Sequence, residues 1–199
     1  MEEATERPGS HINGRIARRV RALRKEHALS LESLAARSGV SRSMLSLIER
    51  GESSPTAVIL DKIAAGFGVP LAALFDDPAS SPDPISRSRD RTPWRDPESG
   101  YVRCNISPPG FPSPIQIVEV MLPAGAKVAY DSTPHGATIH QQIWMQEGSI
   151  ELAAGGTSYR LSPGDCLAMR LGEPIVFHNR GRKPARYVVV LATERSPRS

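Results

Sequence analysis

Arg42, Ser43, Ser46 and Leu47 lie in one short amphipathic segment, Arg42 to Glu49, whose apolar residues Leu45 and Ile48 recur at helical spacing. With Leu45 and Ile48 turned to a core, those four side chains stand on the outer face, near the N-terminal end of a helix. A guanidinium, two hydroxyls and an alkyl group presented this way suit base edges in a DNA major groove. Arg42 is the expected reader of a guanine, and Leu47 offers only apolar contact, as to a thymine methyl. Ser30, Ser41, Arg50 and Ser53, around the ends of this segment and the one before it, are the expected phosphate contacts.

The other chemically capable residues suggest less. Cys104 and Cys166 lack a CxxC spacing, so in a reducing cytosol they are expected to be free thiols used for packing. His140 is next to Gln141 and His178 next to Phe177, so each points away from the face its neighbour lines. No set of residues predicts a catalytic centre.

The elements that must position these groups follow from periodicity. From Asn13 to Phe75 the apolar residues keep helical spacing: Ile16, Val20 and Leu23, then Leu31, Leu34 and Ala35, then Leu45 and Ile48, then Ile59, Ile63 and Phe67. Ser30, Ser41 and Thr56 are placed to cap helix starts, and Gly39, Gly51 and Gly68 to end helices. Pro70 suits the first turn of a last short helix ending near Phe75. Ser30 to Arg50 thus has a helix-turn-helix layout, in which one helix braces another against a groove.

Residues 1–12 are expected to be a disordered tail, 13–75 a helical DNA-binding domain, 76–86 a linker rich in Pro, Ser and Asp, and 87–195 a β domain. The β reading rests on the runs Tyr101 to Ile106, Ile115 to Leu122, Ala137 to Met145, Ile150 to Ala154 and Arg186 to Leu191. Gly155-Gly156 is a two-residue hairpin signal and Pro163-Gly164 a turn signal.

The helical segment resembles the phage-repressor-like helix-turn-helix family, also called Cro/C1-type or XRE-type. Arg21-Ala22-Leu23-Arg24-Lys25, Ser30-Leu31-Glu32-Ser33-Leu34-Ala35, Gly39-Val40-Ser41 and Leu45-Ser46-Leu47-Ile48-Glu49-Arg50-Gly51 carry the likeness. The resemblance implies a five-helix bundle, DNA binding, and a buried ion pair between Arg24 and Glu49. An unpaired Glu49 among Leu45, Ile48 and Gly51 would be costly to bury, which agrees. Relatives often carry Gln or Lys where this chain has Leu47. Arg15, Arg18, Arg19, Arg21, Arg24 and Lys25 crowd the first helix, whose outer members suit phosphates as well as a plain solvated face.

The β-rich half resembles the cupin fold, a jelly-roll barrel, through Pro123-Ala124-Gly125-Ala126, Glu147-Gly148 and Leu161-Ser162-Pro163-Gly164-Asp165. Catalytic cupins hold a divalent metal with two His, a Glu and a later His. Counted onto this chain those positions fall on His135, Ala137, Gln141 and Ile175. One of the four is a ligand, so no metal and no other cofactor is expected. Period-two alternation puts Ala137, Ile139, Gln141, Ile143 and Met145 on one wall, where His135 and Gln141 could form the polar end of an effector pocket or a satisfied core pair.

The 199 residues, 39% hydrophobic with a formal net charge of +4, permit two small globular domains and a polyanionic partner without demanding one. The N-terminus has no apolar signal region and no run is long enough to span a bilayer, so a cytoplasmic protein without membrane contact is expected. The combined expectation is a non-enzymatic, sequence-specific transcriptional regulator that binds a palindromic operator in double-stranded DNA as a homodimer, with a β domain for effector sensing or dimerisation. The alternatives are a metal-dependent cupin enzyme tethered to DNA, a dioxygenase or isomerase, and a cupin serving only for oligomerisation.

Overall fold

The computed structural model describes residues 8–76, 83–130 and 138–194, with side chains from residue 12 onward. Helix α1 spans Pro8–Glu26. Its stripe Ile12, Ile16, Val20 and Leu23 is buried throughout. The helix therefore starts inside the stretch read as a disordered tail, because Ile12 lies one turn before Ile16 and extends the same apolar face.

Helix α2 (Leu31–Ser38) begins where the Ser30 hydroxyl accepts a 3.0 Å bond from the Ser33 amide, and it ends at Gly39, whose φ of 67° is left-handed. That turn aims the chain into α3 (Arg42–Arg50), capped by Ser41 accepting from the Met44 amide at 3.2 Å. Helix α4 (Ala57–Phe67) starts at the Thr56 cap. It crosses α2 so closely that a Cβ on Gly66 would lie 3.0 Å from the Ser38 Cβ and 3.3 Å from its Cα.

The last element of this half corrects the expected five-helix bundle. Leu71–Phe75 is a 3-10 helix, so the described residues of this half form four α-helices. The Ala73 amide bonds the Pro70 carbonyl three residues back at 2.9 Å, and five residues with a proline at their start are too few for a developed α-helix.

The second half is antiparallel β: β1 (Trp94–Arg95), β2 (Val102–Asn105), β3 (Ile115–Leu122), β4 (Lys127–Tyr130), β5 (Thr138–Glu147), β6 (Ile150–Ala154), β7 (Thr157–Leu161), β8 (Cys166–Arg170), β9 (Ile175–His178) and β10 (Ala185–Glu194). Six strands pair in the order β1-β2-β3-β10-β5-β8 and four in the order β4-β9-β6-β7. No ladder joins the two sheets among the described residues, so the expected closed barrel is instead a two-sheet structure. The alternation read from the sequence specifies which face of each strand is buried, and that is the same for an open pair of sheets as for a closed one. Ile139, Gln141, Ile143 and Met145 of β5 and Ala185, Tyr187, Val189 and Leu191 of β10 are all buried. Asn179 ties the ends of strands together, its buried amide donating to the Leu122 and Lys183 carbonyls at 3.0 and 2.9 Å.

Of the two thiols, Cys104 is half-buried, and burial pushes its pKa up. Cys166 corrects the packing expectation: it is exposed on the edge strand β8.

The two halves share one hydrophobic core. Asp96, after β1, is 3% exposed and accepts the Ala57 amide at the start of α4 at 2.8 Å. Its other oxygen accepts the Ser99 amide at 2.7 Å. The Phe75 and Trp94 rings meet at 5.4 Å, and the Asn105 side chain donates to the Ala72 carbonyl at 2.9 Å. The helical half is thus docked on the β half through α4 and the 3-10 helix, which the reading of 76–86 as a linker did not foresee. No described helix is long and apolar enough to cross a membrane.

Candidate nucleic-acid interface

Helix α3 is held from behind. Leu45, Ile48 and Glu49 are buried, and Arg24 of α1 grips the Glu49 carboxylate with two bonds, Nε to Oε1 at 2.6 Å and Nη2 to Oε2 at 2.9 Å. Arg24 also donates Nη1 to the Leu29 carbonyl at 3.0 Å, while Arg21 donates to the Glu49 carbonyl at 2.8 Å. The Glu49 hydrogen bond holds the Arg24 guanidinium above its ordinary pKa. Planar two-point contact fixes angle as well as distance, so α1 sets the tilt at which α3 leaves the core.

The outer face carries the four residues proposed to read bases. Arg42 and Ser43 are exposed and Ser46 and Leu47 half-buried. Arg42, Ser43, Ser46 and Leu31 of α2 border one shallow surface depression. The Arg42 guanidinium does not stand free: its Nε lies 2.6 Å from Glu32 Oε1, both side chains well exposed. The Glu32 carboxyl is held below its usual range by a bond from its own backbone amide and by Arg42. An exposed pair of this kind is weak and opens readily to a competing partner.

The proposed phosphate contacts are distributed around the same surface. Ser30 and Ser41 have hydroxyls engaged as caps, so any phosphate bond from them uses the hydroxyl hydrogen. Arg50 is exposed, with Nη1 donating to Ser46 at 2.7 Å and Nε and Nη2 each donating to Glu52 at 2.8 Å. Ser53 is half-buried, its hydroxyl 3.7 Å from the Met44 sulfur.

The proposed effector residues sit elsewhere. Gln141 is 7% exposed and lines a cavity of about 90 Å³ between the inner faces of the sheets and the end of α4. His135, and Ala137 beside it, fall outside the described residues. Ile175 is buried in the same cavity wall. Among the described residues no three His, Cys, Asp or Glu side chains come together as a metal site.

Sequence reasoning missed three residues. Glu32 as the partner of Arg42 and Asp96 as the tie to α4 depend on packing that no periodicity encodes. Arg103 carried a signal: it shares parity with the buried Tyr101 two residues earlier, which turns a cation inward.

The helix-turn-helix family model HTH_3 matches residues 20–74. The chain is 42% identical to the control protein C.MunI of a Mycoplasma species over 67 residues, 33% of this chain and 90% of that protein. It is 26% identical to the HTH-type transcriptional regulator SutR of Escherichia coli over 177 residues, 89% of this chain and 94% of that protein. The crystal structure of an HTH_3 family transcriptional regulator from Vibrio cholerae superposes with a TM-score of 0.74 at 26% identity, covering 94% of this chain and 99% of that one. That likeness extends across both halves at once. The chain belongs to the XRE-type HTH_3 family and is a DNA-binding helix-turn-helix transcriptional regulator.

Proposed function

We propose that this regulator binds a palindromic operator as a homodimer and that its β half, cupin-like and metal-free, senses a small molecule. The observation carrying the sensing reading is the cavity at the seam. Asp61, Ala65, Val69 and Leu71, from α4 and the segment after it, line it together with side chains from both sheets. Whatever fills that space touches the helix that follows the recognition helix, so binding and DNA affinity are linked through one wall. The apolar Ile175 in that wall supports the metal-free reading, since it cannot coordinate, and the whole is read as a cytoplasmic regulator rather than an enzyme.

In this reading α3 enters the major groove with Arg42 released from Glu32 toward a guanine, Ser43 and Ser46 at neighbouring base edges and Leu47 against a methyl. Ser30, Ser41, Arg50 and Ser53 hold the flanking phosphates. Two chains then place two recognition helices about one helical turn, roughly 34 Å, apart on DNA.

Selection from a random DNA pool tests it. The expected result is an inverted repeat whose affinity falls by about 1–3 kcal/mol with Arg42→Ala. Enrichment of a single unrepeated half-site would remove the homodimer, and an unchanged affinity in Arg42→Ala would remove the base-reading assignment.

A further inference from the structure

The seam cavity contains a cation with no visible employment. Arg103 of β2 is only 6% exposed and lines the cavity, yet its Nε is buried without a hydrogen-bond partner among the described residues. Its guanidinium carbon lies 4.7 Å from the centre of the Phe75 ring. A ring face compensates a buried charge only in part. Asp76 is near enough to feel the charge, but Arg19 and Arg15 act on it more strongly, and it accepts a bond from Gln116 at 3.4 Å.

The neighbours of Arg103 are hydrogen-bond donors set in an apolar frame. Tyr187 lies two strands away in the same cross-strand row, both residues facing Val120 of β3. Tyr130 donates to the Tyr101 hydroxyl at 3.1 Å. Burial holds the Tyr130 and Tyr187 phenols far above their ordinary pKa, so both stay neutral. Among the described residues Gln141 has the Met169 sulfur, at 3.9 Å, as its side-chain partner, a weak acceptor that leaves its amide largely unspent. Val118, Ile139 and Leu191 supply apolar wall.

Resting on the sensing reading above, we propose that this cavity takes a small monocarboxylic acid, its carboxylate on Arg103 and its hydrocarbon body against Val118, Ile139 and Leu191. The guanidinium fork matches a carboxylate at two points. Arg103 is the one cationic side chain lining the cavity among the described residues, and with Asp61 and Glu173 also in the lining a second negative charge on the ligand finds no partner, so a monoanion suits it better than a phosphate dianion or a dicarboxylate. About 90 Å³ is room for several waters or one short-chain or single-ring acid. Because Arg103 rests on Phe75, an anion bound there acts directly on the 3-10 helix of the DNA-binding half.

Calorimetric titration of the full chain with propionate, isovalerate and benzoate, each against its neutral amide, tests this. At least one acid is expected to bind about tenfold or more tightly than its amide, with the advantage lost in Arg103→Gln and partly kept in Arg103→Lys. Where Arg103→Gln fails to fold, the wild-type acid-to-amide contrast still tests the anion preference, and Arg103→Lys tests its dependence on Arg103. Equal binding of acid and amide would overturn the anion assignment and leave the sensing reading standing. No binding of any acid or amide would overturn the monocarboxylic-acid proposal and leave the sensing reading, which names no ligand, standing, and an advantage unchanged in a folded Arg103→Gln would show that the acid sits elsewhere.

Discussion

The helical half and the β half handle polar side chains in opposite ways. Ser30, Ser41 and Thr56 each bond a backbone amide three residues further on, and Arg42 is exposed to solvent. In the β half Asp96, Arg103, Gln141 and Asn179 are all buried. Asp96 finds its partner 39 residues away and Asn179 finds one 57 away. One half therefore presents its polar chemistry at the surface, and the other encloses it in the interior. The Arg24–Glu49 pair is an exception within the helical half, spanning 25 residues and largely buried.

The largest effect is expected from breaking that exception. Arg24→Ala leaves the Glu49 carboxylate, 6% exposed, with only the longer ion pair to Arg21 at 3.8 Å among the described residues, in place of two short bonds. Removing one partner of such a pair costs about 3 kcal/mol, read as a shift in the urea midpoint. The double variant Arg24→Met, Glu49→Leu should recover most of it, because neither charge is then left buried alone. Equal losses in the single and double variants would mean that packing, not charge, holds α3 to α1.

Severing the two halves should cost less and do something different. Asp96→Ala leaves the Ala57 amide unpaired beneath the β half and removes a carboxylate from the start of α4, for about 2 kcal/mol. The sharper readout is coupling: an acid bound in the cavity should alter operator affinity in the wild type and much less in this variant. An undiminished response would route the coupling through Phe75 and Arg103 alone.

The same contrast decides what was legible in the sequence. The recognition segment could be placed because its signals are local: Ser41 as cap, Gly39 as turn, and Leu45 and Ile48 one helical turn apart. Gln141 could be put on the inner wall because parity along β5 is local too. The 3-10 geometry of Leu71–Phe75 was missed because five residues carry no full helical period, and short strands such as β1 and β4 fall below the same threshold. The openness of the sheets was not legible, since alternation is silent on which edges pair. Arg103 was passed over although its parity with Tyr101 places it inside, because a charged residue in a strand is ordinarily assigned to solvent. The docking of α4 on Asp96 is a tertiary fact with no local trace.

A smaller effect at the seam itself sharpens the comparison through pH. Asp76 follows Phe75, where the two halves meet, and burial holds its carboxyl above the ordinary aspartate value of 3.8. Burial outweighs the downward pulls of Arg19, Arg15 and Arg103 and of a bond from Asn105. The folded chain thus binds this proton more tightly than the unfolded chain. The resulting stabilisation is complete below 3.8 and is lost as pH rises through the raised folded value. At neutral pH the ionised carboxylate is a cost, so Asp76→Asn should raise the melting temperature there, with the gain shrinking to nothing in acid. A variant less stable than wild type at neutral pH would mean that the arginines around Asp76 matter more than its desolvation. The seam would then be a charge-paired interface like that of Arg24 and Glu49 rather than one built on burial.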